Sequence, residues 1–198
     1  MWHVFEVAFP VQTLFPIESL FPEGFAFYPD FIGKEEEVLL LEAARAQELQ
    51  TFVFQGYEAK RRVASFGQDW SFERRSLAQG KPVPGAFLPL LHKVAERLEL
   101  PPEAFAELLV TEYPPGSVIN WHRDAPPFAL IAGVSLASDA TFRLRPYDKA
   151  LQGRRSIRSL HLPRRSLYVM QGPARSEWEH SIAPVKTERF SITLRTLY

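Results

Sequence analysis

The 198-residue sequence predicts one mainly β domain of the α+β class, an antiparallel sandwich or jelly roll with buttressing helices. The composition is balanced, with 46% hydrophobic and 23% charged residues, which suits a single globular domain with a real core. Aromatic residues make up 13% of the chain and Phe outnumbers Met by 16 to 2, which favours strands and a rigid interior. From Glu107 onward short apolar or alternating runs follow one another between turn residues, whereas helical spacing is confined to the residues before it.

Through about Pro29, aromatics mixed with Pro10, Pro16, Pro22 and Pro29 imply extended segments, broken by turns, that wrap the core. Asp30 to Gln47 reads as a helix, because Glu35, Glu36 and Glu37 place acids in an early turn and Val38, Leu41 and Ala44 belong to one apolar stripe. Phe87 to Leu98 reads as a second, with Phe87, Leu91, Val94 and Leu98 at helical spacing and Pro101-Pro102 as its stop. Strands are expected at Leu108–Val110, Ala129–Leu136, Thr141–Leu144, Ser159–Leu162, Ser166–Met170, Glu177–Ile182 and Phe190–Leu197. The turns between them fall at Pro114-Pro115-Gly116, Ala125-Pro126-Pro127, Gly153 and Gly172-Pro173.

Charge and cysteine content narrow the chemistry. With 23 Lys plus Arg against 23 Asp plus Glu, no global positive field draws the molecule onto nucleic acid, so such a partner must be met locally. The absence of cysteine excludes disulfides, thiolate metal sites and cysteine nucleophiles, which leaves His and carboxylate as strong metal ligands. The N-terminus lacks a basic region before an apolar run, and no uncharged stretch approaches the ~20 residues that span a bilayer. A soluble, cytoplasmic, monomeric protein with no obligate protein partner is expected.

Two motifs carry chemistry. In His122-Arg123-Asp124, residues two apart in an extended segment share a face and can reach one ion. His180, on a separate expected strand, can complete a set of two imidazoles and one carboxylate; such a set leaves positions open on Fe(II) for oxygen and a chelating co-substrate. A surface His beside a surface Asp is the ordinary reading of the first pair. The second motif is Arg189 to Arg195, where Arg189, Ser191, Thr193 and Arg195 share one strand face. If that face is internal, its arginines call for an anionic ligand, and a guanidinium fork matches a carboxylate. A solvated edge strand is the alternative.

Together these residues resemble the AlkB-like Fe(II)- and 2-oxoglutarate-dependent dioxygenases. The likeness covers the C-terminal half: Tyr113-Pro114-Pro115-Gly116 leading into His122-Arg123-Asp124, then Gly172 to Ile182 with Arg175, Trp178 and His180, then the closing Arg-x-Asn-x-Thr-x-Arg pattern as Arg189 to Arg195. The resemblance implies a double-stranded β-helix (jelly-roll) core and Fe(II) on His122, Asp124 and His180. It also implies 2-oxoglutarate, with O2 as co-substrate, held by Tyr113, Arg189 and Arg195, with Arg189 on the distal carboxylate and Arg195 nearer the metal. Thr111 and Ser191 stand where the family commonly has Asn, and both keep a hydrogen-bonding side chain. Positions 125 to 127 are Ala, Pro and Pro, so they lack the acidic residue that helps one relative recognise a base. Arg61 to Phe72 resembles part of a nucleotide-recognition lid. One domain, 1–198, is then expected, with residues 1–106 as extension, lid and buttressing helices and 107–198 as the core with the iron site.

Lesser features have plain readings beside functional ones. Phe66, Trp70 and Phe72 are base platforms or packing residues, Arg61 a substrate contact or a surface charge, and Trp178 a wall of the iron pocket or core. His3, His92 and His161 read as surface or satisfied residues. The basic stretch of Arg154, Arg155, Arg158, Arg164 and Arg165 suits a solvated loop or phosphate contacts. The function expected by analogy is oxidative demethylation or dealkylation of alkylated bases in DNA or RNA, of the DNA-repair kind. The rivals are a hydroxylase or demethylase of a protein side chain and a non-catalytic jelly-roll binding module.

Overall fold

The computed structural model describes residues 20–198 apart from positions 55, 72 and 73, so the readings of His3, Phe72 and most of the segment before Pro29 lie outside the described residues. Strand β1 (Phe25–Tyr28) precedes helix α1 (Lys34–Arg45). Strands β2 (Gln50–Phe54), β3 (Tyr57–Ser71) and β4 (Ser76–Gln79) follow, then helix α2 (Leu88–Arg97). The C-terminal half contributes β5 (Phe105–Tyr113), β6 (Ile119–His122), β7 (Phe128–Leu136), β8 (Ala140–Pro146), β9 (Arg158–Leu162) and β10 (Leu167–Met170). A short helix α3 (Gly172–Ser176) leads into β11 (Trp178–Ile182), and β12 (Arg189–Leu197) ends the fold.

The strands form two antiparallel sheets. The major sheet runs β1-β10-β7-β12-β5-β3-β2 with β4 paired to β3, and the minor sheet runs β6-β11-β8-β9. Period-2 alternation gives the major sheet two different faces. Leu108, Val110, Ile192 and Leu194 turn toward α1 and α2 and pack with Leu40, Leu41, Leu91 and Val94. The opposite face meets the minor sheet, where Phe128, Ile131, Phe142, Leu144 and Ile182 form a second cluster. The expected jelly roll with buttressing helices is therefore the fold observed. β12 lies between β7 and β5, which removes the solvated-edge alternative for Arg189 to Arg195.

The described structure departs from the sequence expectation in three places. Residues 50–79 hold three strands, of which β3 pairs directly with β5, so the major sheet draws on both sides of position 107. The row Arg61, Val63, Ser65 and Gly67 is mostly polar or small, so the segment shows no apolar alternation to read. Gly172-Pro173 opens a turn of helix rather than a bare turn, with Pro at its favoured early position. Arg164 and Arg165 are not free basic residues, because both donate to Glu37 of α1, a carboxylate only 1% exposed.

Candidate metal centre and its cavity

The minor sheet brings the expected ligands together. Antiparallel pairing sets His180 of β11 opposite His122 of β6, with ring centroids 4.2 Å apart. Asp124 follows β6, and its Oδ2 lies 3.5 Å from His180 Nε2. One ligand atom from each of His122, Asp124 and His180 falls within 4.8 Å of the others, so the trio could hold a metal ion. His122 Nδ1 lies 2.9 Å from the Asn120 carbonyl, which can only accept; the ring proton sits on Nδ1 and Nε2 stays available as a ligand. Phe142 stacks on the His180 ring at 5.4 Å and fixes its plane.

Electrostatics keep His180 and Asp124 in ligand form. Burial, followed by the neighbouring His122, pushes His180 down to about 3 against the pull of Asp124, so its imidazole is neutral. Burial opposes ionisation of Asp124, but the Arg195 charge, with His180, His122 and Arg175, holds the carboxyl well below the usual range. Arg195 donates to Asp124 Oδ1 from Nη2 at 2.7 Å and from Nε at 3.1 Å. Asp124 Oδ2 is left buried without a hydrogen-bond partner, and a cation would satisfy it. The donor set fits Fe(II).

Two residues that the motif reading did not assign support this arrangement. Glu107 of β5 sits opposite Arg195 in the sheet register, accepts from its Nη1 and accepts from Ser65 Oγ at 2.9 Å. Only the register reveals it, since a lone acid in an apolar run carries no signal. Arg175, quoted above without a role, donates from Nη2 to the carbonyls of Asp124 at 3.0 Å and Ala125 at 2.7 Å, pinning the loop after the ligand.

Thr193 and Arg195 line a cavity of about 1130 Å³ together with Thr111, Tyr113 and the metal trio, and Arg189 and Ser191 lie on the same face of β12. Arg189, 1% exposed, donates from Nε to Ser135 Oγ at 3.1 Å and lies over the Tyr113 ring at 4.7 Å. Its Nη1 is buried without a partner, as a guanidinium awaiting a carboxylate would be. Tyr113 and Ser191 hydroxyls stand 3.3 Å apart beside it. Thr111 pairs with Ser191 in the adjoining strand.

The outer wall of the cavity is β3. Arg61, Ser65 and Trp70 line it, and Arg61 stacks on Phe52 at 3.9 Å. Phe66, 4% exposed and 6.3 Å from Phe87, packs its ring in the core and touches the cavity lining only with what remains uncovered. Trp178 packs with the second core cluster and is not among the residues lining the cavity. His92 is exposed, and His161 meets Asp139 at 3.3 Å on the surface.

Comparison with known proteins agrees with this geometry. The model of the 2OG-Fe(II) oxygenase superfamily matches residues 24–195. A Mus musculus protein named tRNA (carboxymethyluridine(34)-5-O)-methyltransferase ALKBH8 is 30% identical over 173 residues, 82% of this chain. An Arabidopsis thaliana protein named Alkylated DNA repair protein ALKBH8 homolog is 28% identical over 188 residues, 84% of this chain and 52% of its own length. The chain spans 24% of the length of the mouse relative. Among solved structures, OsALKBH1 superposes with a TM-score of 0.71 at 15% identity, covering 87% of this chain and 96% of that one. A Pseudomonas putida prolyl-4-hydroxylase superposes with a TM-score of 0.62 at 16% identity, covering 88% and 93%.

Proposed function

Because the chain belongs to the 2OG-Fe(II) oxygenase superfamily, we propose that it is an Fe(II)- and 2-oxoglutarate-dependent oxygenase that removes an alkyl group from a base of DNA or RNA, acting in the cytoplasm. One observation carries the reading: two buried polar atoms without partners mark opposite ends of one row of residues. Arg189 Nη1 lies at one end; at the other, Asp124 Oδ2 is turned toward the two histidines by the grip of Arg195 on Oδ1. A dicarboxylate chelating a cation complements both.

In this reading His122 and His180 supply neutral imidazoles and Asp124 a carboxylate to the iron. Arg189, with Tyr113, Thr111, Ser191 and Thr193 about it, orients the distal carboxylate of 2-oxoglutarate. Iron, when bound with 2-oxoglutarate and O2, would supply the chemistry for C–H hydroxylation, O2 being the oxidant whose two oxygen atoms end in the hydroxyl group and in succinate, with carbon dioxide released from 2-oxoglutarate. Phe128, Ile131 and Phe142 keep the inner cavity apolar and exclude water. On an N-methyl group the hydroxylated carbon leaves as formaldehyde. The β3 wall, with Trp70 to stack on a base and Arg61 to meet a phosphate, supports nucleic acid as the substrate, as do the names of relatives that refer to tRNA and to alkylated DNA.

The test is product analysis by mass spectrometry after methylated DNA, methylated RNA and methylated peptide pools are offered with Fe(II) and 2-oxoglutarate. Succinate formation matched by loss of a methyl group from an oligonucleotide is expected. Stimulation by a methylated peptide and by no oligonucleotide would replace the nucleic-acid reading with a protein side chain.

A further inference from the structure

We propose that Tyr168 is a further co-substrate-binding residue: its phenol, admitted over β7 by the absence of a side chain at Gly133, donates a hydrogen bond to 2-oxoglutarate between Arg189 and the metal centre. The inference rests on the oxygenase reading and adds a residue that neither motif contains.

The register sets the geometry. Tyr168 of β10 pairs with Gly133 of β7, and Gly133 pairs with Thr193 of β12, so the three stand abreast on one rung of the major sheet. That rung is one alternation from Arg195 and two from Arg189 along the cavity-facing row. A Cβ at Gly133 would lie 2.4 Å from Tyr168 Cε1 and Cζ and 2.6 Å from its hydroxyl oxygen, so the phenol end occupies the place of the missing side chain. Gly133 is not among the glycines with positive φ, and a turn conformation therefore does not account for glycine here. Space for the phenol does.

The hydroxyl needs a reason of its own. Tyr168 is 8% exposed, and its oxygen has no hydrogen-bond partner among the described residues. The hydroxyl is not among the buried atoms without a partner, so it opens onto the cavity, where Phe would fill the same volume but offer no donor. Tyr168 lines the same cavity as Tyr113, Thr193, His180 and Arg195. Burial, reinforced by Tyr113 and Asp124 and opposed by Arg189 and Arg195, holds the phenol protonated, so it faces the cavity as a donor. A donor on the cavity wall between the Arg189 guanidinium and a metal site suits a dianionic ligand that spans both.

Tyr168→Phe removes the O–H and keeps the ring. Calorimetry would measure Mn(II) binding to the full chain, and then 2-oxoglutarate binding to the Mn(II)-loaded protein, for wild type and variant. The expected result is a 2-oxoglutarate Kd raised about 10-fold or more, the worth of a hydrogen bond to a charged acceptor, with Mn(II) affinity and thermal midpoint unchanged. Gly133→Ala should displace the phenol and weaken 2-oxoglutarate binding similarly, and adding Tyr168→Phe to it should cause little further loss. Binding of 2-oxoglutarate by Tyr168→Phe within about 2-fold of wild type would overturn the proposal, as would a parallel loss of Mn(II) affinity, which would make the residue structural. Wild-type protein that binds Mn(II) but not 2-oxoglutarate would remove the co-substrate reading itself, an outcome distinct from either.

Discussion

Arg195 lies between Glu107 and Asp124 and donates to both carboxylates. Burial alone would weaken its charge, but the two acids raise its affinity for the proton, so the guanidinium stays fixed as a cation. Asp124 is thereby locked with one oxygen satisfied and the other free for the metal. Glu107→Gln removes one anchor of Arg195 without touching a ligand, and residues that orient metal ligands typically contribute ~10–100-fold to metal affinity. Weaker Mn(II) binding of that order, with secondary structure retained in circular dichroism, is the expected outcome. Loss of a ligand is harsher: His180→Ala should abolish 2-oxoglutarate turnover in a folded protein, and turnover retained in that variant would reject His180 as a ligand. Arg189→Lys keeps the charge but loses the planar fork, so the KM for 2-oxoglutarate should rise about 10-fold or more in steady-state kinetics.

Strand β3 and helix α1 are the elements with the clearest separate duties. β3 alternates between Ala64 and Phe66, which pack into the core, and Arg61, Val63 and Ser65 on the cavity side. Trp70→Ala should weaken alkylated oligonucleotide binding about 5- to 150-fold in fluorescence anisotropy while leaving Mn(II) affinity alone, as expected for a lost base stack of ~1–3 kcal/mol. Helix α1 is tied to the sheet by Glu37, which accepts from Arg164, Arg165 and the Ala137 amide. Burial would raise the Glu37 pKa, but these hydrogen bonds outweigh it and hold the carboxyl below its ordinary value. A lowered folded-state pKa stabilises the protein above the unfolded carboxyl range and loses that stabilisation as pH falls through the folded value. Glu37→Gln should therefore cost roughly 3–5 kcal/mol in urea unfolding at pH 7, as breaking a buried charge network does. The gap from wild type should narrow below about pH 4.

For the whole molecule, equal numbers of acidic and basic residues make any polyanion contact a local one. Arg164 and Arg165 are engaged with Glu37 and Arg62 with Glu112; the exposed Arg154 and Arg155, and Arg61 on the cavity wall, are three positions from which a guanidinium could meet a phosphate. Three such contacts to a single strand imply a plot of log binding constant against log salt with a slope of about −2. Binding insensitive to salt would count against an oligonucleotide. The fold shared with OsALKBH1 and with a prolyl-4-hydroxylase leaves the substrate open, since one scaffold serves many substrates and recognition lies in its walls. Among the described residues no helix is long and apolar enough to cross a membrane.

Much of this was legible in the chain alone. Local periodicity placed both helices and the strands of the C-terminal half other than β6, because each buries an apolar face. The His-x-Asp spacing, His180 and the alternation from Arg189 to Arg195 put the chemistry-bearing residues in view before any fold was known. Strands β2 to β4 stayed hidden because a cavity wall is polar where a core strand would be apolar. Whether the arginine row faced solvent or a cavity depended on β12 lying between β7 and β5, a matter of long-range pairing. Phe66 and Trp70 looked alike as aromatics and, four residues apart, would share a face of a regular strand; Gly67, with φ near +84°, interrupts the pleat between them, and one packs in the core while the other lines the cavity. Glu107 and Tyr168 belong to no motif; strand register set one against Arg195 and the other over Gly133. Sequence determined which local structures and ligand types were available, because spacing and side-chain chemistry act over a few residues. Tertiary structure decided which side chains meet, because register is set by packing between strands far apart in the chain.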